Sequence, residues 1–235
     1  LESSACALSV LATYAMSESY PICANPLTGT GTGGGQRKHG SGSVGPADGP
    51  DLRLLQQGET FVDSPNGSGI EAEVVVRGGM VISGYLGHGP AERASTHATS
   101  PEGGAAFLRT GDVAHMDADG HVFLVGRSKE LINRAGEKIS PFEVEEAASA
   151  HPGIAEAMAY AIPHPTLGEA VGLAVVWRPG SERLSLAGLQ ATCFSGKLAQ
   201  DKWPTHLEEV AELPKTATRK LKRLEQTKSS GHIFS

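Results

Sequence analysis

The chain has 235 residues, 39% of them hydrophobic and 20% charged, with a net charge of −6. That length supports one large core or two small ones. The negative balance excludes the global basic field of a nucleic-acid binder, although Lys and Arg outnumber Asp and Glu locally over 202–228. No apolar run approaches the about 18 residues expected of a membrane span.

The start, LESSACALSVLATYAM, has neither an initiator Met nor the basic n-region of a signal peptide. Cys6, Cys23 and Cys193 are odd in number and form no CxxC pair, as expected of reduced thiols in an intracellular protein. The ending HIFS matches neither an SKL nor a KDEL address. A cytoplasmic protein is expected, with a peroxisomal location as the alternative.

An apolar segment over 1–16 leads into the polar turn SESYP. The Gly-rich TGTGTGGGQRKHGSGSVG that comes soon after cannot bury a core and predicts a loop. Its formal GxGxxG, at Gly29, Gly31 and Gly34, lacks the preceding strand and following helix of a dinucleotide fingerprint. Between Pro50 and Gly126 short strands alternate with turns. EAEVVVRG and HVFLVGR supply the β-branched residues, and Asn66-Gly67 and Asp119-Gly120 the turns.

After Arg127 the pattern changes to alternating α and β. Ser140 is placed to cap a helix, Pro141 fits its first position, and Glu143 would close a capping box. That helix is predicted through VEEAASA to His151-Pro152-Gly153. IAEAMAYAI and VGLAVVW predict strands, followed by a helix from about Leu186 to Leu198 and a strand over HLEEVAEL. A short basic helix is expected after the loop PKTATRK. The boundary falls near Arg127–Lys129, giving parts 1–126 and 127–235 and an α+β class overall.

Several short constellations suit chemistry, each with a plainer alternative. In Tyr14-Ala15-Met16-Ser17-Glu18 a ring, a hydroxyl and a carboxylate stand together, as nucleotide and Mg²⁺ binding require, though a capped turn has the same composition. Thr110-Gly111-Asp112 would present a carboxylate on a tight turn to the hydroxyls of a ribose, or only stabilise that turn. The nearby DADG fails as an EF-hand, because His115 and Gly126 occupy ligand positions that need a carboxylate. Gly126-Arg127-Ser128-Lys129-Glu130 offers either a phosphate or ribose contact or a solvated linker. Gly136-Glu137-Lys138 is a polar turn, and KTATRKLKR over 215–223 is a cationic loop.

Taken in order, YAMSE, SGSVG, EAEVVVRGGMVISGYL, RTGD, DADGHVFLVGRSKELIN, GEKISPFEVE, HPGIAEA and LPKTATRK resemble the motif series of the adenylate-forming (AMP-binding) superfamily. Acyl-CoA synthetases, peptide-synthetase adenylation domains and luciferases belong to that superfamily. YAMSE with NPL, GSVG and LINRAGEKISPFEVE is most similar to its oxalate–CoA ligase group. The resemblance implies that 1–126 is the C-terminal part of an adenylation domain and 127–235 the small mobile domain behind it. It implies ATP, Mg²⁺ and coenzyme A as cofactor and co-substrates, and a small carboxylic acid as substrate.

Roles follow by position. Tyr14 stacks near the adenine, Ser17 contacts phosphate, Glu18 helps hold the metal, and Asp112 with Arg127 binds the ribose. Lys129 is the hinge. Gly136, Glu137 and Lys138 form the loop of the thioester step, and Lys220 is the catalytic lysine. The family's phosphate loop and most of its acyl pocket lie upstream of these motifs and outside this sequence, so the chain alone is expected to be inactive.

The sequence also departs from the family pattern. Ala72 stands before Glu73 where Gly is usual, and HATSPEGGAAF lacks the usual aromatic approach to RTGD. The Gly-rich insertion after Leu27 is longer than expected. Arg219 precedes Lys220 in place of Gly, so that loop is expected to be stiffer or displaced. A unit that loads a carrier protein, or a degenerate nucleotide-binding module, are the alternatives.

Overall fold

The computed structural model describes residues 12–25, 42–56, 60–62, 69–87, 89, 95–217 and 219–223. The formal GxGxxG, the Asn66-Gly67 turn and the expected closing basic helix lie outside these residues. The chain divides into two compact units, Leu1–Ser128 and Lys129–Ser235.

In the first unit β1 (Thr13–Met16) and β2 (Ser19–Ala24) form a hairpin around Ser17 and Glu18. Then come β3 (Ser43–Gly45), β4 (Asp51–Gln56), β5 (Thr60–Val62), β6 (Ala72–Arg77), β7 (His97–Ala98), β8 (Phe107–Met116) and β9 (Val122–Arg127). These build a seven-stranded sheet in the order β3-β9-β8-β6-β4-β5, with β7 also on β8. Period-two alternation divides the valines of β6 between its faces. Val74 and Val76 pack with Tyr14, Ile22, Leu54 and Met116, whereas Val75 packs with Leu55, Ala98 and Phe107.

The hairpin is tied to the sheet by polar bonds. Asn25 Nδ2 donates to the carbonyls of Ala12 (2.8 Å) and Ser43 (3.0 Å). Its tip is fixed by the Ile82 N–H donating to the Glu18 carbonyl (2.9 Å). The DADG segment closes β8 onto β9, with Asp117 Oδ1 accepting the N–H groups of Asp119 (3.0 Å) and His121 (2.8 Å).

Thr110-Gly111-Asp112 is a bulge inside β8 rather than a tight turn. The register against β6 runs from Val75↔Arg109 to Glu73↔Val113, so the β8 side carries the extra residues. Gly111 has φ +75° there, and its N–H donates to Glu73 Oε1 (3.1 Å). Gly and Asp are turn formers locally, but the Glu73 carboxylate supplies the partner that keeps the chain within the sheet. Arg109 Nε holds the other Glu73 oxygen at 3.0 Å.

The second unit begins with β10 (Ile132–Arg134) and β11 (Glu137–Ile139), followed by α1 (Pro141–Ser149), β12 (Ile154–His164) and β13 (Gly168–Trp177). A short α2 (Leu186–Leu189) and β14 (His206–Glu209) complete it. Its sheet runs β11-β10-β13-β12, with β14 parallel to β13. Both sheet faces are apolar, which is why VGLAVVW is an unbroken apolar run. Ala159, Val171, Leu173 and Val175 meet Val144, Ala147 and Ala148 of α1, whose i, i+3, i+4 spacing makes one stripe. Met158, Tyr160, Ile162, Ala170 and Ala174 gather with Leu213 on the other face.

Three local expectations change. Ser140 is extended at the N-cap of α1 but makes no side-chain cap bond. Glu143 takes Lys202 Nζ at 2.6 Å instead of closing a capping box, a charge-assisted bond that outcompetes a neutral cap. The helix expected to Leu198 ends early: after α2 the backbone widens into a π-helical turn over Gln190–Phe194, which sinks Leu189, Cys193 and Phe194 into the core together. The HLEEVAEL strand stops at Glu209, where pairing with Val175 ends.

Candidate functional site

The centre of the first unit is Asp112. The β8 bulge turns its carboxylate toward the β1–β2 hairpin, where Tyr14 Oη donates to Oδ2 at 2.6 Å. Arg127 Nε, at the end of β9, meets Oδ1 at 2.9 Å. Residues 98 apart in the chain are thereby in contact. The Asp112 side chain is 12% exposed and that of Arg127 55%, so the carboxylate is fixed while its cation reaches into solvent. Oδ2 accepts the Tyr14 hydrogen bond and Oδ1 is in an ion pair with Arg127, while a carboxylate offers about four acceptor sites. The carboxylate therefore keeps acceptor capacity for further donors.

Burial, then the neighbouring Asp112 charge and the hydrogen bond to it, push the Tyr14 phenol well above its ordinary value of 10.0. Tyr14 therefore stays a proton donor to Asp112. Its ring is 6% exposed and belongs to the core, so little of its face is open. Burial and then the Asp48 charge push the Cys23 thiol up to about 12, and Cys23 is free and buried.

Ser17 is exposed at the hairpin tip and Glu18 is half-buried beside it. Tyr85 Oη donates to Glu18 Oε1 at 2.9 Å, which aims that carboxylate. Among the described residues no cluster of three or more His, Cys, Asp or Glu side chains is placed to hold a metal. A Mg²⁺ that Glu18 helped to hold would take most of its ligands from substrate phosphates and water.

The remaining candidates belong to the second unit, and Lys129 opens it, exposed in the turn that follows β9. Gly136 sits at the β10–β11 turn, where Ala135 (φ +52°) and Gly136 (φ +93°) are both left-handed, as a two-residue hairpin turn of this hand requires. The turn is held by Gly136 N–H donating to Asn133 Oδ1 (3.1 Å) and Ala135 N–H to the Leu167 carbonyl (2.8 Å). Glu137 and Lys138 extend from it, exposed.

Lys220 stands exposed on a loop with a well-bonded base. Lys215 bridges Leu221, the Thr216 N–H donates to the Lys220 carbonyl (2.8 Å), and the Lys222 N–H donates to the Pro214 carbonyl (2.9 Å). Arg219 adopts φ +63°. It takes the left-handed backbone that a glycine would adopt freely, at a cost of about 1–2 kcal/mol.

Two features escaped sequence reasoning. Glu73 clamps the Asp112 bulge, and only its place opposite RTGD could have signalled this. Arg134 Nε is buried without a hydrogen-bond partner among the described residues. It lines a groove of about 410 Å³ together with Gln190, Gln200, Asp201, Trp203, Pro204 and Thr205. Nothing local in LINRAG marks Arg134 for this.

Comparison with known proteins gives a consistent set. The family described as AMP-binding enzyme C-terminal domain matches residues 143–220. A probable CoA ligase of Humulus lupulus is 38% identical over 91% of this chain and 37% of its own length. An oxalate–CoA ligase of Arabidopsis thaliana is 36% identical over 91% of this chain and 38% of its own. The chain therefore spans well under half the length of these curated relatives. Among solved structures, ATP-bound MatB from Rhodopseudomonas palustris superposes with a TM-score of 0.78 and 26% identity, over 95% of this chain and 41% of that one.

Two predictions follow from the geometry. Tyr14→Phe removes a donor from a nearly buried carboxylate and should destabilise the chain by about 1–3 kcal/mol. Because the folded phenol titrates above the unfolded one, the Tyr14 contribution is complete below pH 10.0 and declines above it. Urea unfolding of both forms across pH should show the gap constant through neutrality and narrowing above that value; a gap that widens there contradicts the assignment. Arg219→Gly should raise stability by up to about 1 kcal/mol, the relieved strain exceeding the added chain entropy. A lower urea midpoint would contradict the strain.

Proposed function

We propose that this chain, which belongs to the adenylate-forming (AMP-binding) superfamily, is the C-terminal portion of an ATP-dependent, AMP-forming acid–CoA ligase. The observation that carries the reading is the Tyr14–Asp112–Arg127 constellation, a hydrogen bond of 2.6 Å and an ion pair of 2.9 Å on one carboxylate. It gathers from distant motifs a fixed acceptor of hydroxyl groups and a cation that reaches solvent. In this reading Asp112 accepts the ribose hydroxyls and Arg127 assists from β9. Tyr14 holds Asp112 through its hydroxyl and lies near the adenine. Ser17 faces phosphate, and Glu18 would hold Mg²⁺, which neutralises phosphate charge when bound.

The reaction has two steps. A carboxylate oxygen of the acid attacks the α-phosphorus of ATP, and the bond to pyrophosphate breaks, leaving the acyl-adenylate. The thiolate of coenzyme A then attacks the acyl carbon and AMP departs. Lys220 serves the first step: an exposed ammonium on a firmly based loop can bridge two anions that repel each other as they meet. Gly136, Glu137 and Lys138 serve the second, on a turn whose backbone is fixed by Asn133 and Leu167. Lys129 is the pivot that allows the two loops to act in turn. Oxalate is the acid to try first, on the strength of the Arabidopsis relative.

Arg219 bears on the reading of a degenerate module. The loop keeps a left-handed residue before Lys220 without a glycine, so the substitution alone does not dismantle it.

In the complete protein, Lys220→Ala should lower acid-dependent ATP–pyrophosphate exchange about 10²–10³-fold. Thioester formation from supplied acyl-adenylate should be largely spared. Parallel loss of both half-reactions would remove Lys220 from the role given to it.

A further inference from the structure

Arg223 has no part in the function proposed above, yet it is among the best-bonded side chains of the second unit. Its side chain is 8% exposed. Nε and one terminal nitrogen donate to Glu145 of α1, at 3.2 Å and 3.0 Å to Oε1 and 2.9 Å to Oε2. The other terminal nitrogen donates to Glu130 Oε2 at 2.8 Å. The guanidinium also lies 4.8 Å from the centre of the Phe142 ring. This forked arrangement uses the planarity of arginine, and a lysine cannot reproduce it.

The anchors matter as much as the bonds. Glu145 Oε1 also accepts the N–H of Ala159 in β12 at 2.9 Å, so Arg223 is joined at once to a helix and to the edge strand of the sheet. Glu130 follows Lys129 in the turn that opens the second unit. Arg223 itself comes three residues after Lys220, at the end of the loop. On the loop's other side, Lys215 Nζ meets Glu156 Oε2 of β12 at 2.6 Å. Between these two straps the loop presents Arg219 and Lys220 to solvent.

We propose that Arg223 is a positioning residue for Lys220: the Glu145–Arg223–Glu130 bridge fixes the outgoing end of the lysine loop and ties it to the turn beside Lys129. This inference rests on the role proposed for Lys220. A long, flexible lysine on an exposed loop is useful to a reaction only if the loop's backbone has one position. The local sequence of the loop does not supply that rigidity. Arg219 is strained, and the backbone bonds that close the loop run between its own residues. The buried bridge supplies the fixed point. Loosening it shifts Lys220 without touching any group that would meet substrate.

The test compares Arg223→Lys and Glu130→Gln with the parent in the complete protein, in both half-reactions. Lys220→Ala and the Arg223→Lys/Lys220→Ala pair serve as references. Arg223→Lys keeps the charge but loses the fork, and should lower the kcat of ATP–pyrophosphate exchange about 10²-fold, the effect of a displacement near 1 Å. KM for ATP and thioester formation from supplied acyl-adenylate should hold. Glu130→Gln, which leaves the Glu145 contacts in place, should give a smaller loss in the same half-reaction, and it carries the test should Arg223→Lys not fold. The double variant should be no slower in exchange than Lys220→Ala alone, since Arg223 acts only through Lys220. If Lys220→Ala collapses exchange but neither bridge variant slows it, or both half-reactions fall together, the inference about Arg223 is overturned alone. If Lys220→Ala itself leaves exchange intact, the role of Lys220 fails and the inference with it.

Discussion

The first unit depends on keeping one carboxylate in place. Asp112 has only 12% of its side chain exposed, and an ionised group so far from water must be matched by donors. The Tyr14 hydroxyl donates to it and the Arg127 guanidinium pairs with its charge. Their requirements extend outward through the unit. Tyr14 reaches Asp112 from a hairpin that Asn25 fastens to β3 and that Ile82 holds at its tip. Arg127 reaches it because the DADG turn returns β9 alongside β8. Asp112 itself faces this way because Glu73 captures the N–H of Gly111 and holds the bulge open.

The second unit solves the opposite problem. In the proposed function it presents the Lys220 cation to solvent from a held loop. Its answer is a sheet with two apolar faces, from which a short loop projects between ion pairs at Lys215 and Arg223. Burial raises the Glu145 carboxyl above its ordinary value, and Arg223 opposes that rise. Such a bridge is costly to break on one side only, because the remaining charge stays buried.

Much of this was legible in the sequence, and the exceptions share a cause. The apolar runs of β12 and β13, the Pro141 start of α1 and the Asp119-Gly120 turn depend on neighbours a few residues away, and those were visible. The bulge at Gly111 was hidden because its partner Glu73 is 38 residues distant. The capping box failed because Lys202, 59 residues on, offers Glu143 a stronger bond. The positions of the candidate residues came from a resemblance over the whole motif order. The contacts among them, such as Tyr14 with Asp112, needed coordinates. Arg219 was legible as a departure, but only its φ revealed that the loop tolerates it.

The central claim is that Asp112, held at its bulge, is a nucleotide-binding carboxylate and not merely a knot in the sheet. The most direct measurement is ATP affinity of the complete protein before and after Asp112→Asn, with near-ultraviolet circular dichroism to compare packing. Loss of charge-assisted bonds of about 1.5–3 kcal/mol predicts binding about 10–100-fold weaker with packing retained. Unchanged affinity in a variant of unchanged packing would contradict the account.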